Sequence, residues 1–163
     1  MNPPKGYDHD TGIMVSMLEN LRARIINSTQ ELNQEQTDFL LDDKANRIGA
    51  MIMHLAATEV YCQAYTFEGR GFNEEEKEKW ETALNLGNKA RAEFVGKPIQ
   101  YYLDVWAQVR QKTLETLKEK DDKWFGKLAK GGQTDNHWAW FHVMEHQANH
   151  MGQINMLRSR LPE

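Results

Sequence analysis

The sequence predicts an all-α fold, a single-domain four-helix bundle, and three observations carry that expectation. Four segments of roughly twenty residues each repeat apolar side chains at the spacing of a helix that buries one face. Glycine and proline are scarce, 11 and 4 residues, and read as falling between those segments. No stretch shows the alternating, β-branched pattern of a strand, and there is no internal repeat. A chain of 163 residues suits one domain that buries its own core. That domain is expected over 11–163, after a flexible lead-in at 1–10.

The first helix is expected from Thr11 to near Gln30, with Ile13, Met14, Met17, Leu18, Leu21 and Ile25 on its inner face. Residues 31–46 are polar around Phe39, Leu40 and Leu41 and read as a connection with one short turn. The second helix runs from about Asn46 to Phe67, with Ile48, Met51, Ile52, Leu55 and Thr58 inward, and Gly69-Arg70-Gly71 stops it. Asn73 followed by Glu76 is a capping-box pattern, and Glu74, Glu75 and Glu76 suit the positive end of a helix dipole. This predicts a short, polar extra helix over 74–86, between the second and third long helices.

Pro98 fits the first turn of the third long helix, which carries Ile99, Tyr102, Leu103, Trp106, Val109, Leu114 and Leu117 to about Lys120. A loop with Gly126, Gly131 and Gly132 leads to the fourth, over about 135–160, ended by Pro162. Such helices pack as a bundle. The long connections leave room for a topology other than up-down-up-down.

Composition excludes several functions. The formal net charge of −4 and pI near 5.9 argue against a nucleic-acid partner, which needs basic residues to displace counterions. Mean hydropathy is −0.75, and no apolar run nears the ~18 residues of a membrane span. Cys62 is the one cysteine, so neither an intrachain disulfide nor a cysteine-rich zinc motif can form. With no secretory signal at the start of the sequence, the expected location is cytoplasmic, although a chain beginning after a removed signal would read the same.

The histidines carry the chemistry. Of the six, His142, His146 and His150 follow one another at four-residue steps in the last helix. Neighbours four apart lie one above the other, with Cβ atoms about 5–6 Å apart, and can share an ion. The outer two are about 12 Å apart along the axis, so only one adjacent pair can serve. His142-Val143-Met144-Glu145-His146 matches the inverted zinc-peptidase signature, which would make Glu145 a general base. Those enzymes are much larger and take an acidic ligand from well downstream. Here 17 residues follow His146, none acidic before Glu163.

The pair His146 and His150 remains, with His54 as third ligand from the apolar run Ile52-Met53-His54-Leu55-Ala56-Ala57. A lone core histidine is more often structural than a ligand; the ready-made pair shifts that balance. Three histidines leave coordination positions open, as in catalytic zinc sites. His9 and His137 are expected at the surface. A ferritin-type dinuclear site is set aside, because no histidine follows a glutamate by three residues.

The run Glu145-His146-Gln147-Ala148-Asn149-His150-Met151-Gly152-Gln153-Ile154, followed by Leu157-Arg158, resembles the C-terminal helix motif of the DinB-like superfamily. His54 with Glu59 after it resembles that family's first ligand region, and the likeness extends over nearly the whole chain. The resemblance implies one divalent metal per chain, zinc, nickel or iron, held by His54, His146 and His150, and a homodimer. It also implies transfer of a low-molecular-weight thiol to a small electrophile, as in the YfiT-like and mycothiol-dependent branches. A bound metal can lower a thiol's pKa to make the reactive thiolate, or lower that of water to about 7 and make a hydrolase.

Other residues have two readings. Gln153 either hydrogen-bonds a ligand ring or flanks the pair, and His142 either lines the cavity mouth or makes an ordinary core hydrogen bond. Glu145 is read first as an ion-pair partner and Glu59 as a packing residue. Cys62 is read as a buried, inert thiol. Trp138, Trp140 and Phe141 could wall a pocket, but the reading leans to core or dimer interface. Three functions compete: a metal-dependent thiol transferase, a metal-dependent hydrolase of a small substrate, and a non-catalytic dimeric helical binding protein.

Overall fold

A computed structural model describes residues 3–129 and 132–162. Met1 and Asn2 of the expected lead-in, Gly131 of the expected loop and Glu163 lie outside the described residues. Among the described residues there are eight α-helices and no strand: α1 His9–Thr29, α2 Gln34–Asp38, α3 Ile48–Gln63, α4 Glu74–Asn85, α5 Gly87–Glu93, α6 Ile99–Lys118, α7 Asp122–Phe125 and α8 Asn136–Arg158. The four expected long helices are α1, α3, α6 and α8. The polar extra helix is α4, with the Asn73–Glu76 capping box formed in both directions.

The long helices close a ring of contacts, α1 against α6 and α8, and α3 against α6 and α8. Side-chain contacts set their directions. Gly49 meets Tyr102 and Glu59 meets Arg110, so α3 and α6 run parallel. Tyr7 reaches Leu114 and Glu19 reaches Arg110, so α1 opposes α6. Cys62 touches Ala139 while His54 touches His146, so α8 opposes α3. The order is up-down-down-up, which the long connection of residues 64–98 between the parallel α3 and α6 permits.

Several boundaries differ from the sequence reading. The first helix begins at His9 because the Gly12 N–H bonds the Asp8 carbonyl, starting the ladder two residues earlier. The second ends in a π-helical turn, Ala64–Glu68, and Gly69 closes it at φ +68°, a left-handed conformation suited to glycine. Helices α5 and α7 were not expected. The chain reaches α5 through Leu86 at φ +54°, and α7 is one turn capped by the Asp121 side chain on the Trp124 N–H.

Glycine also enters helix interiors, contrary to its reading as punctuation: Gly12, Gly49 and Gly152 lie within α1, α3 and α8. At Gly49 the reason is close approach, since a Cβ there would overlap the Tyr102 ring.

The core has two apolar parts. One gathers residues of α3, α4, α6 and the end of α8 around Ile52, Tyr102 and Trp106; the other gathers α1, α7 and the start of α8 around Leu18, Phe125 and Trp140. Buried polar groups accompany them. Glu59, fully buried on α3, accepts from Arg110 Nε (2.7 Å) and a terminal Arg110 nitrogen (2.9 Å), the Thr113 hydroxyl (2.6 Å) and Trp106 Nε1 (3.1 Å). Arg110 reaches on to Glu19 of α1 at 2.9 Å. A buried carboxylate and guanidinium persist only when paired and hydrogen-bonded on all sides, and this pair is. Among the described residues no helix is long and apolar enough to cross a membrane.

Candidate metal centre

Three elements build the site. Helix α8 starts where the Asp135 side chain accepts from the Trp138 N–H, and its 3.6-residue period then puts His146 and His150 on one face. Helix α3 presents His54 opposite them. Helix α4, fixed by its capping box, brings the carbonyl of Ala83 to within 2.9 Å of His54 Nδ1. A carbonyl only accepts, so Nδ1 of His54 carries the hydrogen and Nε2 presents a lone pair.

That lone pair faces the other two rings. His54 Nε2 lies 3.0 Å from His146 Nε2, which lies 3.0 Å from His150 Nε2. All three ligand atoms fall within 4.8 Å of one another. The rings meet edge to face, with centroids 4.6 to 4.9 Å apart. Burial lowers the pKa of each, and proximity to the others' charges adds to this for His146 and His150. His146 falls to about 3 and His150 to about 4, and His54 is also lowered. At neutral pH the three imidazoles are therefore uncharged, the form that binds a metal.

These residues fit a divalent ion. A single hydrogen on His146 Nε2 cannot point at both neighbours, whereas one cation answers three converging lone pairs. Tetrahedral ligands with Zn–N bonds of 2.0–2.1 Å stand about 3.4 Å apart, close to the spacing here. The Nδ1 atoms of His146 and His150 are buried, and besides the Nε2 contacts the Gln153 side chain hydrogen-bonds His150 and His142 stacks on His146.

The remaining candidates lie outside this cluster. His142 and Glu145 are exposed and face each other at 3.2 Å. Gln153 is exposed, donates to Asn149 Oδ1 at 3.0 Å and also has a side-chain hydrogen bond with His150. His9 and His137 are exposed, as expected. Glu59 serves packing, and Cys62 is buried with its thiol pKa pushed up by desolvation. Trp140 is core, but Trp138 and Phe141 are about half exposed, because they project from α8 away from its packed face. The sequence reading missed the Ala83 carbonyl and Gln147. The buried Gln147, next to His146, reaches Glu59 at 3.5 Å. A charged residue inside the apolar α3 was the available signal for that network.

A groove of about 600 Å³ lies between α3, α4 and α6, lined by Met53, Glu76, Trp80 and Lys112 among others, and includes none of the three histidines.

An up-down-down-up helical bundle with three converging histidines defines a DinB/YfiT-like, metal-dependent helical protein. The family model for mycothiol-S-transferase matches residues 13–162, and the chain belongs to that family of metal-dependent thiol transferases. The family implies a transferase enzyme. A crystal structure of an uncharacterised protein from Escherichia coli UTI89 is similar over 94% of this chain and 96% of that one, with TM-score 0.65 at 11% identity. At that identity the likeness concerns the fold. No curated protein matches the chain.

Proposed function

We propose that His54, His146 and His150 hold the divalent ion of this transferase, and that the enzyme joins a low-molecular-weight thiol, mycothiol in the family's case, to a small electrophile. The observation that carries the reading is the convergence of three uncharged Nε2 atoms, one fixed in its tautomer by Ala83. The ion, zinc, nickel or iron, would favour the thiolate over the thiol. The protein's own groups do the rest. Ala83 orients His54, and such outer partners tune ligand strength. The Glu59–Arg110 pair is balanced in charge and anchors α3 behind the site.

In the transfer, the sulfur–carbon bond forms at the electrophile. The displaced group leaves with its electron pair, and the thiol proton passes to solvent. Glu145, His142 and Gln153 need no part in this.

The finer readings belong to the same proposal: one ion per chain, a homodimer and a cytoplasmic location. An apolar groove between α1 and α8, with the exposed Met17 and Phe141, suits a second copy, which sedimentation would detect. The test of function is product formation by metal-loaded protein with mycothiol and a chloro-electrophile. Transfer that requires both thiol and metal supports the reading. Consumption of substrate at equal rate without thiol contradicts it.

A further inference from the structure

Helix α4 ends at the metal centre. Its final main-chain bond runs from the Leu86 N–H to the Thr82 carbonyl at 3.0 Å, and among the described residues no main-chain N–H takes the Ala83 carbonyl. Every helix leaves its last carbonyls without partners in its own backbone. Here His54 answers them. Its Nδ1 lies 2.9 Å from the Ala83 carbonyl, and the Leu84 backbone also hydrogen-bonds the ring. A side chain of α3 thus caps the C-terminus of α4.

Leu86 is the reason the helix stops at that turn. Its backbone sits at φ +54° and ψ −147°, and among the described residues no other non-glycine has a positive φ. A continuing helix would bring the Gly87 N–H to the Ala83 carbonyl, four residues back, and His54 would lose its acceptor. Helical shape resumes at once in α5, so the interruption is confined to the step from Leu86 to Gly87. A side chain is strained in that conformation and glycine is not. The Leu86 side chain packs on the core around Ile52 and Trp106, which holds the residue there.

We propose that Leu86 is a positioning residue of the metal centre: its positive-φ break ends α4 at the turn that hands the Ala83 carbonyl to His54. This rests on the three-histidine reading above. The break has two consequences. It keeps the hydrogen of His54 on Nδ1, so Nε2 stays free as a ligand. It also sets the C-terminal end of a helix, which carries partial negative charge, directly behind that ligand. Three neutral imidazoles bring no charge to offset a divalent ion, and the end of α4 supplies part of it.

The test compares two substitutions with opposite properties. Leu86→Gly adopts positive φ without strain and loses the side chain, whereas Leu86→Ile keeps the volume and resists positive φ through its branched Cβ. Competition for zinc with a chelator measures affinity, and proton–nitrogen NMR of the imidazoles reads the His54 tautomer in the metal-free proteins. Leu86→Gly should bind zinc as the parent does and keep the hydrogen on His54 Nδ1. Leu86→Ile should bind about ten-fold more weakly, the usual cost of losing an outer partner of a ligand, and should show mixed tautomers. A residue that serves packing alone gives the opposite order, with Leu86→Gly the worse of the two.

Parent-like affinity in Leu86→Ile overturns the inference, as does a loss in Leu86→Gly as large as that in Leu86→Ile. If Leu86→Ile does not fold, the parent and Leu86→Gly decide. A hydrogen on His54 Nε2 in the metal-free parent, or a changed tautomer in Leu86→Gly, then contradicts it. If the parent binds no zinc, the three-histidine reading fails on its own. The tautomers of parent and variants still decide whether Leu86 positions His54.

Discussion

His54 donates through Nδ1 to the carbonyl of Ala83 at 2.9 Å, so a backbone group of α4 sets the tautomer of a side chain on α3. The position of that carbonyl depends in turn on how α4 begins. Asn73 Oδ1 accepts from the Glu76 N–H at 2.8 Å, and Glu76 returns a bond to the Asn73 N–H at 3.0 Å. The cap at the start of α4 and the metal centre are therefore linked through one helix.

Asn73→Ala should destabilise the chain by about 1 kcal/mol through loss of the cap. It should also weaken metal binding, because the Ala83 carbonyl loses its fixed position. Thermal melts and competition with a chelator read the two effects, and Asn73→Asp should spare both.

Glu59→Ala should cost far more, about 3–5 kcal/mol, because the buried Arg110 would lose its buried carboxylate and keep only the partly exposed Glu19. Urea unfolding measures this. The double change Glu59→Leu with Arg110→Met removes both charges and should recover a large part of the loss.

The pH dependence of the metal-free chain follows from the depressed pKa values. The unfolded chain takes up protons on its histidines near pH 6.5, while folded His150 and His146 resist until about 4 and about 3. Between those limits the unfolded state holds more protons, so stability falls as pH drops from about 6.5 toward 4. The urea midpoint should decline over that window. In His146→Gln/His150→Gln it should decline less steeply, and an equal slope would show that other groups dominate.

Much of the fold was legible because helical periodicity is local. The capping box of Asn73 and Glu76 and the i, i+4 pair of His146 and His150 depend only on neighbours in sequence. Helix α5 escaped because it begins at Gly87, right after the positive-φ Leu86, where the glycine reads as the end of the preceding helix. Gly49 reads as punctuation until Tyr102, 53 residues later, is seen to need its missing side chain. The site divided the same way. His54 could be paired with α8 by its chemistry and by family likeness. The Ala83 carbonyl is a backbone group that any residue supplies, so no sequence signal marks it. The pairing of Glu59 with Arg110 is likewise a product of tertiary packing.

The most direct test is elemental analysis of the protein purified without a histidine tag, beside His54→Ala and His146→Ala. The account predicts one equivalent of a divalent transition metal per chain in the parent and a loss of it in both variants, each still helical by circular dichroism. No metal in the parent, even after reconstitution, or full retention in both variants, would contradict it.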